Sequence, residues 1–216
     1  VPAKAAYQSS GLIADWIGST LTNNTSQWND STNNNKLDQS GTTYSSSNGG
    51  YLTLNGTSSN LHSPNDLTNF TTSTMSMFFW IKPTSNSGII MQIGRNSTDA
   101  DSEAIFGING SGNLYFWDWN GNQGFSGTST STLTLNSWSY VGFTKNTTSG
   151  TSTLTFYING ASASSTYTGL TAKMDVFAAD FTLGADIASG IYYSGLIGQT
   201  ALWSTPLTAS DILNNY

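Results

Sequence analysis

In the segment TSTLTFYING, Leu154, Phe156 and Ile158 alternate with Thr153, Thr155 and Tyr157, so a strand built from it carries apolar side chains on one face only. The same period of two recurs in 51–54 (YLTL), 75–82 (MSMFFWIK), 88–94 (GIIMQIG), 103–108 (EAIFGI), 113–119 (NLYFWDW), 137–143 (SWSYVGF) and 180–185 (DFTLGA). About a dozen strands fit the chain. Between them stand residues that tolerate positive φ or bond to their own backbone, as in Asn109-Gly110-Ser111-Gly112, Asn120-Gly121, Asn159-Gly160 and the loop from Asn146 to Gly150. Antiparallel strands joined by short turns, with no long helical period, predict an all-β fold of two packed sheets.

Three segments depart from this rhythm. In 75–82, Phe78 and Trp80 share one face while Met77, Phe79 and Ile81 share the other, which predicts a central strand covered on both sides. Thr208 and Asp211 have capping-box spacing just after Pro206, which predicts a short terminal helix over 208–215. From Asn23 to Gly50 the chain is rich in Asn, Ser and Thr and is broken only by Trp28, Leu37 and Tyr44, so a long irregular surface excursion is expected there. No internal repeat is visible, and one domain over residues 1–216 accounts for the length.

Composition narrows the functions. Only 8% of the residues are charged and the net charge is −6, so no basic surface exists for nucleic acid or for an anionic membrane. The hydrophobic fraction of 37%, with seven Trp, ten Tyr and ten Phe, supplies enough apolar area to offset chain entropy. Without cysteine there is neither a disulfide framework nor a thiolate metal site. The first residues hold no apolar run long enough for a signal segment or a membrane span, and the start reads as trimmed or processed. The Ser, Thr, Asn and Gly content is common on extracellular and viral surfaces. Asn-x-Ser/Thr tripeptides occur about as often as this composition gives by chance, so they fix no compartment.

The strand pieces also appear in a telling order: WNDSTNNN, SSSNGGYLTLNG, FFWIKPT, SWSYVGFTKN, TLTFYING, FTLGAD and YSGLIGQTALWSTPLTASDIL. In that order and spacing the chain resembles the laminin G/pentraxin branch of the concanavalin A-like lectin and glucanase superfamily. The likeness is greatest to modules of phage tail, algal-virus and bacterial surface proteins. The resemblance implies a curved jelly-roll sandwich whose concave sheet and rim loops bind glycans or proteins.

Candidate chemistry follows from few residues. In NLYFWDWN, Leu114 and Phe116 lie on one face and Tyr115, Trp117 and Trp119 on the other. The family pattern turns Leu114 and Phe116 inward, which leaves three rings with polar edges on the opposite face. Flat rings suit the C–H faces of sugars, and Asn120, Asn122 and Gln123 add directional hydrogen bonds. The same rings equally suit an oligomer or coat-protein contact, or internal packing.

Asp99, Asp101 and Glu103 stand at alternate positions before a strand, and hard oxygen ligands clustered this way suit calcium as well as a solvated acidic loop. By the resemblance, Asp101, Ser102 and Glu103 match a pentraxin calcium segment. Of the second pentraxin cluster, which follows a Leu-Gly pair, only Asp186 corresponds, because Ile187 and Ala188 offer no side-chain oxygen.

Catalysis is not expected. Retaining glycoside hydrolysis uses two carboxyl groups about 5 Å apart. The chain has a single glutamate, Glu103, and lacks the E-x-D-x-x-E strand of the glucanases. Asp118 is the one acid in the middle of a clearly alternating strand, with no second acid on its face. His62, the single histidine, lies in the loop-like NLHSPND without a nucleophile elbow, and the His and Cys count excludes a catalytic zinc.

The leading expectation is a non-catalytic carbohydrate-binding or adhesion module outside a virion or cell. The alternative is a structural virion protein, such as a capsid decoration, spike or fibre component, that binds coat proteins or further copies of itself. A glycoside hydrolase comes third, and neither nucleic acid nor membrane insertion is expected.

Overall fold

Two apolar faces on one strand must both be buried, and β7 (Met75–Pro83) buries both. The computed structural model describes residues 7–18, 26–31, 34–63, 67, 74–94, 103–119, 124–149, 151–163, 167–170 and 181–216. There, β7 lies inside a nine-stranded antiparallel sheet, between β12 (Ser139–Thr148) and β19 (Ser194–Trp203). Beyond β12 come β13 (Thr151–Ile158) and β14 (Ala161–Ser162), and β15 (Tyr167–Leu170) also pairs with β13. Beyond β19 come β5 (Tyr51–Asn55) and β4 (Thr43–Ser45), while β1 (Leu12–Trp16) pairs with the far end of β19.

The second sheet has eight strands. In spatial order they are β11 (Gly124–Thr132), β10 (Asn113–Trp119), β9 (Glu103–Ile108), β8 (Gly88–Ile93), β16 (Thr182–Leu183), β6 (Asn60–His62), β3 (Lys36–Ser40) and β2 (Gln27–Asn29). A separate hairpin, β17 (Ala185–Asp186) and β18 (Ile191–Tyr192), packs on β8.

The core fills the gap between the sheets. Met77, Phe79 and Ile81 meet Phe106, Phe116 and Phe143 there, with Phe79 stacked on Phe106 at 5.6 Å and Phe116 tilted against Phe143 at 4.8 Å. Each such side chain contributes roughly 1.5–3 kcal/mol by leaving water. Leu154 and Phe156 are fully buried and Ile158 packs against them, as their alternation requires.

Phe78 and Trp80 point away from this core into a second cluster with Tyr140, Tyr157 and Trp203 on the outer face of the nine-stranded sheet. Helix α1 (Ala209–Asn215) covers it through Ile212. The expected capping box is present: Thr208 Oγ1 accepts from the Asp211 N–H, and the Asp211 carboxylate accepts from the Thr208 N–H.

Two expectations need correction. The segment from Asn23 to Gly50 is no surface excursion, because its described residues form β2, β3 and β4, with Trp28 and Leu37 fully buried as cross-strand partners. Strands of three to five residues with one apolar position each are too short to show a period. His62 closes strand β6 and pairs with Asp38 and Thr182, so its segment is not loop-like at that point.

Candidate functional site

Directly opposed residues on antiparallel neighbours share a face, so strand registers define what lines that face. Along the second sheet one row runs Ser126, Trp117, Ile105, Gln92, Thr182, His62, Asp38 and Gln27, one residue from each of the eight strands. The row lies on the outer face, because the flanking Phe116, Phe106, Met91 and Leu183 belong to the core. The packed hairpin of β17 and β18 divides the face. On one side are half-buried Tyr115, Trp117 and Trp119, and on the other half-buried Gln27, Asp38 and His62. Gln27 Nε2 donates to Asp38 Oδ1 at 2.7 Å.

The ring-lined side follows from β10, where Leu114, Phe116 and Asp118 face inward and the alternating aromatics face out. Trp117 and Trp119 stand nearly parallel, 6.1 Å between centroids and 13° between planes. Tyr115 lies over Gly107, its cross-strand partner, where an added Cβ would meet Tyr115 Cε1 at 3.0 Å and the Gly88 carbonyl at 2.6 Å. A side chain at Gly107 would therefore lift the tyrosine off the sheet.

Beside the rings sits a buried polar group in which Gln92, which sequence reasoning missed, joins Glu103 and Asp186. Gln92 Nε2 donates to Glu103 Oε2 at 3.3 Å and to Asp186 Oδ1 at 3.2 Å. The hairpin delivers Asp186, whose Oδ1 also accepts from the Ser189 N–H at 3.0 Å and so closes the turn. Burial, followed by the charges of Asp186 and Glu103, pushes the Tyr115 hydroxyl up to about 12. A lone Gln in the apolar run GIIMQIG gives no sign of partners 11 and 94 residues away.

The structure thus brings together two of the four residues considered for calcium, Glu103 and Asp186, while Asp99 and Asp101 lie outside the described residues. Among the described residues no three His, Cys, Asp or Glu side chains are grouped to hold a metal ion. Gln92 turns its N–H2 rather than its oxygen toward both carboxylates, an arrangement satisfied by protein groups. Asn120, Asn122 and Gln123 also lie outside the described residues.

Asp118 has a different place. It points between the sheets, where Lys145 Nζ from β12 donates to its Oδ2 at 2.6 Å, with both side chains buried. Burial pushes the carboxyl up to about 6, against the downward pull of Lys145. Its Oδ1 has no protein hydrogen-bond partner. On this inner face Asp118 cannot reach a ligand lying on the aromatic side of the sheet. Among the described residues no helix is long and apolar enough to cross a membrane.

The fold recurs in solved structures. Domain 4 of an extracellular arabinanase from Geobacillus stearothermophilus, solved with arabinotriose, superposes with a TM-score of 0.71 at 19% identity, over 96% of this chain and 98% of that one. The receptor-binding domain of botulinum neurotoxin type G gives 0.70 at 15% identity over 96% of this chain, which spans 51% of that domain. The ligand-binding domain of serotype D, in complex with N-acetylneuraminic acid, gives 0.67 at 18% identity, covering 95% of this chain and 50% of that one. At such identities the likeness carries the architecture and not the ligand. No curated protein matches the chain. A laminin G family model, described as the concanavalin A-like lectin/glucanases superfamily, matches residues 54–213. With that match across most of its length and two antiparallel sheets closing on one core, the chain belongs to the concanavalin A-like lectin and glucanase superfamily.

Proposed function

We propose that the chain is a non-catalytic carbohydrate-binding module whose ligand rests on the ring-lined half of the eight-stranded sheet. The observation that carries this reading is the nearly parallel pair Trp117 and Trp119, half-buried on a strand whose other face is core. Large amphipathic rings left open on a rigid strand form a platform for sugar C–H faces, and exposed Ser126 opposite Trp117 adds a hydroxyl for hydrogen bonding. Solved proteins of the same fold carry arabinotriose and N-acetylneuraminic acid. An exterior setting, at a cell or particle surface, goes with this role.

Binding is favoured over hydrolysis by the placement of the acids. Asp118 is inside the sandwich, and Glu103 and Asp186, the pair that does meet on the ligand side, are 4% and 1% exposed. A general acid must reach the glycosidic oxygen and a nucleophile the anomeric carbon. Carboxylates this deeply buried, both bonded to Gln92 and one of them also to the Ser189 N–H, do neither.

The test is a titration of the folded chain with arabino-, cello-, xylo- and manno-oligosaccharides, read by calorimetry, alongside Trp117→Ala and Trp119→Ala. Saturable binding weakened by either change supports the reading. Silence across the panel, with Trp117 becoming protected only in an assembly, would favour a coat or surface protein as partner.

A further inference from the structure

We propose that Tyr115, Trp117 and Trp119 are consecutive subsites for a linear oligosaccharide lying along β10, and that Gly107 sets the first of them by letting Tyr115 lie against the sheet. The inference rests on the glycan reading above and adds to it the shape of the ligand and a residue that positions one ring. Alternate residues of one strand stand in single file, so the three rings span four residue rises, about 13 Å along β10. The planes of Trp117 and Trp119 differ by only 13° at 6.1 Å between centroids, so successive sugars of one chain meet rings of one orientation.

Across the strands the room is shorter. β11 is the edge of the sheet on one side, and on the other the β17–β18 hairpin packs on β8, two strands from β10. Tyr115 reaches to the foot of that hairpin, where burial and then the Asp186 carboxylate disfavour ionisation of its hydroxyl. Between these limits lie β11, β10 and β9, whose two spacings come to about 10 Å. Beside the file of rings runs a file of hydroxyls on β11, with Ser126 opposite Trp117 and Thr128 opposite Tyr115. Parallel apolar and hydroxyl files that repeat along the strand match a chain whose own units repeat, whereas a single terminal sugar would use one step of them.

Gly107 stands opposite Tyr115 in the β9–β10 register, where an added Cβ would meet the tyrosine ring at 3.0 Å. Its backbone has no positive φ, so space and not conformation demands the glycine. The partners of the other two rings, Ile105 and Glu103, both carry side chains. Only Tyr115 is seated over bare backbone.

The experiment titrates the intact chain by calorimetry with neutral arabino-, cello-, xylo- and manno-series, from monosaccharide to hexasaccharide. In a series that binds, affinity is expected to rise at least about tenfold from the monosaccharide to the trisaccharide, and to change less than about twofold beyond the tetrasaccharide. Tyr115→Ala should weaken the trisaccharide several-fold more than the disaccharide, which Trp117 and Trp119 hold between them. Gly107→Ala should act in the same way, and the double variant should lose no more than Tyr115→Ala alone, because both changes remove the same seated ring. If Gly107→Ala does not fold, Tyr115→Ala carries the test by itself. A monosaccharide bound as tightly as its trisaccharide, or a trisaccharide indifferent to Tyr115→Ala, would overturn this inference and leave the glycan reading standing. No binding of any series would overturn both.

Discussion

Lys145 Nζ lies 2.6 Å from Asp118 Oδ2 in the space between the two sheets, so one ion pair bolts β12 to β10 through the core. Removing one partner of such a pair strands a buried charge, at a cost of about 3–5 kcal/mol. Lys145→Met is expected to lower stability by that order in urea unfolding at neutral pH. The double change Asp118→Leu with Lys145→Met should recover most of the loss, because two apolar side chains need no pairing. A double variant as unstable as the single one would show that packing, not charge, governs this site.

The same carboxylate makes stability depend on pH. Burial raises Asp118 from 3.8 to about 6, and it raises Asp15, which accepts from Gln199 Nε2 at 2.9 Å, by a similar amount. Between these values the folded state holds more protons than the unfolded chain, so the stability contributed by these groups falls as pH rises. It is fully present below about 3.8 and is lost by the time pH has passed about 6. Each group contributes on the order of 3 kcal/mol to this difference. The Tm is therefore expected to be higher near pH 5 than near pH 7.5, within the limits set by the other carboxyls. Asp15→Asn should flatten the profile. A Tm that climbs steadily from pH 5 to 7.5 would contradict the assignment.

Much of this architecture was legible from alternation alone. Leu114 and Phe116 against Tyr115, Trp117 and Trp119, or the two apolar faces of β7, are local facts that survive folding. The capping box at Thr208 and Asp211 was equally local. What escaped was short or long-range. Trp28 and Leu37 sit in strands too brief to show a period, and only their pairing reveals them as core. The meeting of Gln92, Glu103 and Asp186 depends on the registers of β8 with β9 and β16 and on a hairpin that turns back over β8. The resemblance had placed Glu103 and Asp186 in one site without the amide that joins them. The inward turn of Asp118 was implicit in its sharing parity with Phe116, but its lysine lies on the opposite sheet.

The C-terminal helix closes the outer aromatic cluster, and Tyr216, the C-cap residue just after it, stacks on Trp80 at 5.8 Å and 26°. Thr208→Ala removes the cap and is expected to cost about 1 kcal/mol. Hydrogen exchange should show the helix and the Trp80 region of β7 losing protection while the Trp117 strand keeps it. Uniform loss across both sheets would argue that the helix is not a separable unit.

The buried state of Glu103 and Asp186 has a kinetic consequence. Purified protein is expected to release no reducing ends from arabinan, β-glucan, xylan or mannan over long incubation, and Glu103→Gln should leave that baseline unchanged. Turnover abolished by Glu103→Gln or by Asp186→Asn would overturn the non-catalytic reading.

The most direct test of the central claim uses the protein's own fluorescence. Trp16, Trp28, Trp80 and Trp203 are buried, so among the described tryptophans a sugar on the surface acts on Trp117, Trp119 and the partly buried Trp138. Titration with neutral oligosaccharides should give a saturable change in emission, weakened about tenfold by Trp117→Ala or Trp119→Ala and absent in the double variant, with Tm shifted little. An unchanged spectrum with every neutral oligosaccharide, or a response that survives loss of both rings, would contradict the account.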